Sequence, residues 1–219
     1  MARIALNWKS TSLPKVSTPG YDGREGDIAQ YLQSMAGDKP SIVYFFDPRE
    51  KKENDKIEST VFGNEVVGTA ARGFNLVKID VTKIEREDLK AEYSKSTPKF
   101  LFYSHSGDVL AKVQGGITLP DFSSAITKAF NAEYALSLQQ FLKSHRNVLD
   151  RLDRAEGKKT RVAEKRSLLE SSTRKDARAA ALEKEIAREE AEAESEIEKV
   201  LAEEELLLAS LKLRPTAKN

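Results

Sequence analysis

The sequence predicts an α/β domain with a central mixed sheet flanked by helices, followed by a long antiparallel α-helical hairpin. Three observations carry this expectation. The run Ile42-Val43-Tyr44-Phe45-Phe46 is too short for a helix and apolar throughout, so it reads as a strand buried on both faces. Further β-rich runs at 74–81, 100–103 and 109–113 are separated by segments of helical periodicity. From Asn131 to Lys212 there is no proline and a single glycine, Gly157, and Ala, Glu, Lys, Arg and Leu dominate, the composition of a long helix or coiled coil.

The totals fit a globule with a solvated appendage. The chain has 219 residues, room for one ordinary domain plus an extension, and 32% of them are charged, high for a compact globule. The net charge of +1 gives no global field to steer the molecule toward nucleic acid or an anionic membrane. Zero cysteines exclude disulfides, thiolate catalysis and Cys-based zinc sites, and two histidines exclude a His-rich metal site. No metal or cofactor is expected. No stretch approaches the roughly 18 apolar residues of a membrane span. The start, Met1 to Trp8, lacks an apolar core of signal-peptide length, so a cytoplasmic location is the expectation. A secreted protein after processing would read the same way.

Taken in order, Ser10 to Arg24 holds Pro14, Pro19, Gly20 and Gly23 and reads as an extended lead-in or loop. Asp27 with Gln30 opens a first helix carrying Ile28, Leu32 and Met35, ended by Gly37-Asp38 and Pro40. After the buried strand, a helical pattern from Arg49 carries Ile57, Val61 and Phe62. It is interrupted at Gly63-Asn64, resumes with Val66, Val67 and Ala70, and stops at Gly73. Thr82 with Glu85 has the spacing of a capping box for a helix carrying Ile84, Leu89 and Tyr93. Ser106-Gly107-Asp108 is a hairpin turn between the third and fourth runs. Thr118 with Asp121 caps a last helix, where Phe122, Ala125, Ile126, Ala129 and Phe130 share one face.

The order of elements, the X-Pro entering the third run (Ser96-Thr97-Pro98-Lys99-Phe100), the Gly-Asp turn and Gly115-Gly116 before the last helix resemble the thioredoxin-like fold family. Val61-Phe62-Gly63-Asn64-Glu65-Val66 and Val77-Lys78-Ile79-Asp80-Val81 fit the branch whose active-site helix ends in Val-Phe and is followed by a short helix. The resemblance covers about residues 28 to 130. It implies that Lys51-Lys52-Glu53-Asn54 stands where a Cys-x-x-Cys turn would be, at a helix N-terminus that lowers thiol pKa. Without a thiol the implied protein is redox-inactive. The resemblance also implies that Pro98 is the family's cis-proline, with Thr97 supplying the backbone that pairs with extended peptide in relatives. Glutathione-transferase-like proteins also join such a domain to helices, but they follow the cis-proline with an acidic residue and Ser, where Lys99-Phe100 stands here.

Within the hairpin, Ser171-Ser172-Thr173 is the best place to fold back, with Asp176 available to cap the second arm. That turn sets Leu138 opposite Leu207, Val148 and Leu149 opposite Ile197, Leu152 opposite Ala193 and Val162 opposite Leu182. The first arm is basic and the second acidic, so opposite charges meet along the flanks and set orientation more than stability. Arms of about 40 residues at 1.5 Å each give roughly 60 Å. Leu206 to Leu211 and Tyr134 to Leu142 form its base. The expected division is therefore an N-terminal extension (1–24), a thioredoxin-like domain (25–131), a helical hairpin (132–213, turn near 171–174) and a short tail (214–219).

The candidate partner- or peptide-binding residues are Asp47, Pro48, Lys51 and Asn54 at the strand-to-helix turn, Thr97 and Pro98 beside it, and Arg166, Arg174 and Lys175 at the basic hairpin tip. No catalytic residue is assigned: His105 has no acid identifiable to orient it, and His145 reads as a seam or flank residue. The tip lacks interleaved aromatics and is diluted by Glu164, Glu170 and Asp176, which disfavours nucleic acid. The expectation is a non-catalytic interaction or assembly module that presents its hairpin to protein partners. The alternatives are a redox-inactive, chaperone-like peptide binder using the Thr97-Pro98 edge, and a subunit that self-assembles through the hairpin.

Overall fold

The structure, a computed structural model, describes residues 6–11, 13, 28, 31, 39–171 and 177–214. Among these, five strands form one mixed sheet: β1 (Lys9–Thr11), β2 (Ser41–Phe46), β3 (Asn75–Asp80), β4 (Lys99–Tyr103) and β5 (Val109–Gln114). Their spatial order is β1-β3-β2-β4-β5. β1 and β2 run parallel to β3, whereas β4 runs antiparallel to both β2 and β5. This is the thioredoxin-like arrangement, with β2 central and buried as its apolar run requires.

Alternation along β2 sorts its side chains to two faces. Val43 and Phe45 join Val77, Ile79, Leu89, Tyr93 and Leu101 in one core layer, where Phe45 and Tyr93 stack at 4.3 Å. On the other face Tyr44 stacks on Phe100 at 4.4 Å, and Phe122 stands edge-on to Phe100 at 4.9 Å. Each layer is covered by helix: α3 (Glu87–Ser94) supplies Leu89 and Tyr93, and α4 (Leu119–Glu133) supplies Phe122, Ile126 and Phe130.

The segment after β2 is helical from Lys51 to Ile57 (α1) and continues as a π turn over Glu58–Phe62, closed by Gly63 N–H donating to the Glu58 carbonyl at 3.0 Å. A Cβ on Gly63 would lie 2.5 Å from the Ser59 carbonyl oxygen, so the turn needs glycine there. Asn64 then caps α2 (Glu65–Ala71), its Oδ1 accepting from Val66 and Val67 N–H. The expected interruption at Gly63-Asn64 is thus a π turn and a cap. In the β4–β5 turn Gly107 adopts φ +97°, open to glycine and strained for most other residues. Thr118 caps α4 through the Asp121 N–H, as its spacing foretold.

Two local expectations are corrected. The lead-in contributes strand β1, which joins the sheet edge beside β3, and Leu13 is buried in the core. Three residues are too short for a periodicity to reveal. The Thr82–Glu85 capping box does not form. Asp80 takes the Thr82 N–H at 2.9 Å, a short 3-10 turn follows over Val81–Lys83, and buried Ile84 is extended, so α3 starts only at Glu87. Packing of Ile84 outweighs the local cap. Lys99, adjacent to Pro98, is buried, with Nζ 4.8 Å from the Tyr93 ring centroid. The expected first helix has helical backbone at Ile28 and Tyr31, while Asp27, Gln30, Leu32, Met35 and Gly37-Asp38 lie outside the described residues.

The chain divides into two compact units, residues 1–142 with 211–219, and residues 143–210. In the first unit the segment after the hairpin rejoins the end of α4: Ala135 N–H donates to the Lys212 carbonyl and Arg214 N–H to the Glu133 carbonyl. The second unit lies within α5 (Leu138–Ser171, 34 residues) and α6 (Ala177–Ala209, 33 residues). Each helix is about 50 Å long at 1.5 Å per residue, shorter than the roughly 60 Å expected.

Candidate functional site

β2 ends at Phe46, and the polar groups of the turn that begins with Asp47 are tied to one another. The Asp47 carboxylate accepts from the Arg49 backbone N–H at 2.9 Å and from Arg49 Nε and Nη2 at 2.9 and 2.6 Å. Asn54, one helical turn into α1, donates through Nδ2 to the Asp47 carbonyl at 2.8 Å and accepts the Tyr44 hydroxyl at 2.8 Å. The side-chain hydrogen bonds from Arg49 hold the Asp47 carboxyl below its ordinary value against the opposing effect of burial. Burial, with Glu58, Glu53 and Glu50 adding to it, pushes the Tyr44 hydroxyl above the usual phenol range. Neither group is therefore poised to exchange a proton near neutral pH. Pro48 and Lys51 face solvent.

Thr97 and Pro98 lie at the same end of the sheet, because β2 and β4 pair antiparallel with Phe45 opposite Lys99. The Thr97-Pro98 bond is cis. Pro98 is buried, and its carbonyl accepts from Gly115 N–H at 3.0 Å. The Thr97 hydroxyl donates to the Ser94 carbonyl at 3.2 Å. Register thus brings the 47–54 and 97–98 candidates to one edge, whereas Arg166 sits in the second unit. Arg174 and Lys175 lie outside the described residues.

Within the hairpin the opposite charges of the two arms meet. Arg151 pairs with Glu196 and Glu203, Lys158 with Glu192, Lys159 with Glu194, Lys165 with Glu189 and Arg166 with Glu190. The tip cations Lys165 and Arg166 are thereby directed at glutamates of their own chain. Hydrogen bonds from Lys165, Lys158 and Arg151 hold Glu189, Glu192 and Glu196 below the ordinary carboxylate value. The buried seam residues are Leu149, Ala155 and Val162 on α5 and Ile186, Ala193 and Val200 on α6.

The register differs from the expected one by about one turn. His145 faces Glu204, which sets Val162 level with Ile186 rather than with Leu182, and Leu182 is exposed. α5 ends at Ser171, where the break is expected, and α6 spans Ala177–Ala209.

Two acidic partners of the histidines are not evident from sequence. Glu133 Oε2 accepts the His105 backbone N–H at 2.8 Å and lies 2.7 Å from ring Nδ1, so the acid beside His105 comes from the end of α4. The neighbouring hydroxyls are engaged elsewhere: Ser104 and Ser106 bond each other at 2.8 Å, and Ser106 bonds Asp108 at 2.9 Å. The pair pins the β4–β5 turn to α4 without a nucleophile in series. His145 is fully buried in the seam, 2.8 Å from Glu204. A signal for both acids existed, since Glu133 continues the Phe122–Ala129–Phe130 face and Glu204 lies one turn beyond Val200. Among the described residues no group of three His, Asp or Glu could hold a metal ion, and no helix is long and apolar enough to cross a membrane.

No family model and no curated protein matches the chain. A solved structure described as a DsbH oxidoreductase is similar at 17% identity and a TM-score of 0.32, over 56% of this chain and 87% of that one.

Proposed function

We propose that the chain is a non-catalytic, redox-inactive thioredoxin-like module that presents its helical hairpin to a protein partner. The observation that supports it is a contrast in what each unit leaves available. At the sheet end, where this fold family places its thiols, there is no cysteine, and Asp47, Arg49, Asn54 and Tyr44 are tied to one another. Along the hairpin, large apolar side chains face solvent instead, with Leu168 72% and Leu206 69% exposed.

Affinity capture tests this with the tagged full chain, a chain with residues 144–200 replaced by a short Gly/Ser linker, and a full chain carrying Lys51→Ala and Asn54→Ala. The expected outcome is a set of partners kept by the full chain and the turn variant and lost from the shortened chain. Partners lost only from the turn variant would contradict the proposal. Self-association through the hairpin is the second reading, supported by exposed Leu201 and Leu206. A monomer in sedimentation at high concentration would eliminate it.

A further inference from the structure

We propose that the middle of the hairpin is a docking groove for an acidic, amphipathic helix from a partner protein, an inference that rests on the interaction-module reading above. The seam side chains are smallest there: Ala155 on α5 and Ala193 on α6 are both buried, between larger layers carrying Leu149 and Val200 on one side and Val162 and Ile186 on the other. Small residues at this level leave the outer surface concave, and a groove of about 860 Å³ lies along it.

Two helical stripes form its walls. Arg151, Arg154 and Lys158 follow each other at i, i+3 and i+7 on α5, and Arg188, Ala191, Ser195 and Lys199 do so at i, i+3, i+7 and i+11 on α6. The second stripe runs about 16 Å, three helical turns. That length and the straight, alanine-floored trough match a helix lying alongside the pair, which would complete a three-helix packing.

The charge of the walls selects the occupant. Five cations line the groove against two carboxylates, Glu192 and Glu196. Arg151 is paired with Glu196, and Lys158 and Arg188 share Glu192. Arg154 on one wall and Lys199 on the other form no ion pair among the described residues, and both are exposed. The complement is a helix with small or aliphatic residues facing Ala191 and Ala193 and carboxylates on both flanks. Nucleic acid fits less well, since the lining holds no aromatic residue for stacking and its two glutamates would face phosphate. A second copy docked by a two-fold axis through the groove would set this net-positive wall against itself.

The test is fluorescence anisotropy with the full chain and a labelled peptide of about 20 residues, Ala and Leu on one face and Glu on both flanks, beside a counterpart with Lys for every Glu. The Glu peptide is expected to bind saturably and the Lys peptide not to bind. Arg154→Glu with Lys199→Glu should weaken binding at least about tenfold, and Ala191→Trp, which fills the trough from its wall, should do the same. Circular dichroism checks that each variant keeps its helix content. If the charge reversal does not fold, Arg154→Gln with Lys199→Gln should still weaken binding about threefold.

Equal binding of the two peptides, or unchanged affinity in both variants, would overturn the proposal. So would tighter binding to a duplex of about 20 base pairs than to the Glu peptide. A dimer that Arg154→Glu with Lys199→Glu dissolves, and that the peptide does not compete with, would also overturn it, because the groove would then belong to a second copy. Cellular partners held equally by wild type and the charge-reversed chain but lost on hairpin removal would sink the groove and leave the module reading intact. Partners retained after hairpin removal would sink that reading itself.

Discussion

In the sheet unit the residues that exclude water are large and ring-shaped, Tyr44, Phe45, Phe100 and Phe122, and they stack or meet edge-on within 5 Å. In the hairpin they are aliphatic, Leu149, Ala155, Val162, Ile186, Ala193 and Val200, spaced along two helices whose rims carry Lys, Arg and Glu. The first unit gains its free energy from apolar burial and close aromatic contact, which vary little with salt or pH. The second buries little per residue and relies on alternating charge to set its register. The polar groups at the sheet end are held by one another, whereas those on the hairpin flanks are held across two exposed rims.

The largest effect is expected in the sheet. Phe100→Ala removes the ring that Tyr44, Phe62 and Phe122 all contact, and should cost about 3–5 kcal/mol in urea unfolding. A cost under about 1 kcal/mol would mean that the aromatic layer is not what holds this unit. Next comes the buried His–Glu pair of the described seam. Glu204→Ala removes the carboxylate 2.8 Å from buried His145 and should destabilise by about 3 kcal/mol, whereas His145→Leu with Glu204→Leu should recover most of that loss. No recovery in the double variant would show that the pair itself, rather than the penalty of an unmatched polar group, stabilises the hairpin.

Gly63→Ala comes third, at about 2 kcal/mol, because its Cβ collides with a backbone oxygen that cannot yield without unwinding the π turn. The smallest effect separates the two units by pH. Glu189, Glu192 and Glu196 have depressed carboxyl pKa values, so their contribution is fully present above the unfolded value of 4.5 and is lost as pH falls through the lower folded values. Protection of the amides within 143–210, measured against the exchange of unstructured peptide at the same pH, should fall below about pH 4, and the charge-pair part of its stability should also fall with added salt. Exchange in β2 and β4 should show no comparable salt dependence.

Much of this architecture could be read from the chain because the patterns are long or strongly periodic. The run 42–46 is short but wholly apolar, which marks a central strand, and the face shared by Phe122, Ile126 and Phe130 marks α4. What could not be read depended on contacts distant in sequence. β1 is three residues that become a strand only by meeting β3. The Thr82–Glu85 box lost to Asp80, whose carboxylate takes the Thr82 N–H from two residues upstream. The hairpin register differs from the expected one by about a turn, because apolar positions recur every turn and fit neighbouring registers almost equally well. At the candidate site, the sequence excluded thiol chemistry, but nothing local showed that Asn54 bridges Tyr44 and Asp47, or that Glu133 reaches His105 across 28 residues.

The proposed module engages its partner through the hairpin and not through the sheet end. The most direct measurement is amide hydrogen exchange on the tagged full chain, free and in the purified complex it recovers from cells. Added protection is expected across 151–158 and 188–199, with exchange at 47–54 and 97–98 unchanged. Protection concentrated at 47–54 and 97–98, with the hairpin unaltered, would contradict it.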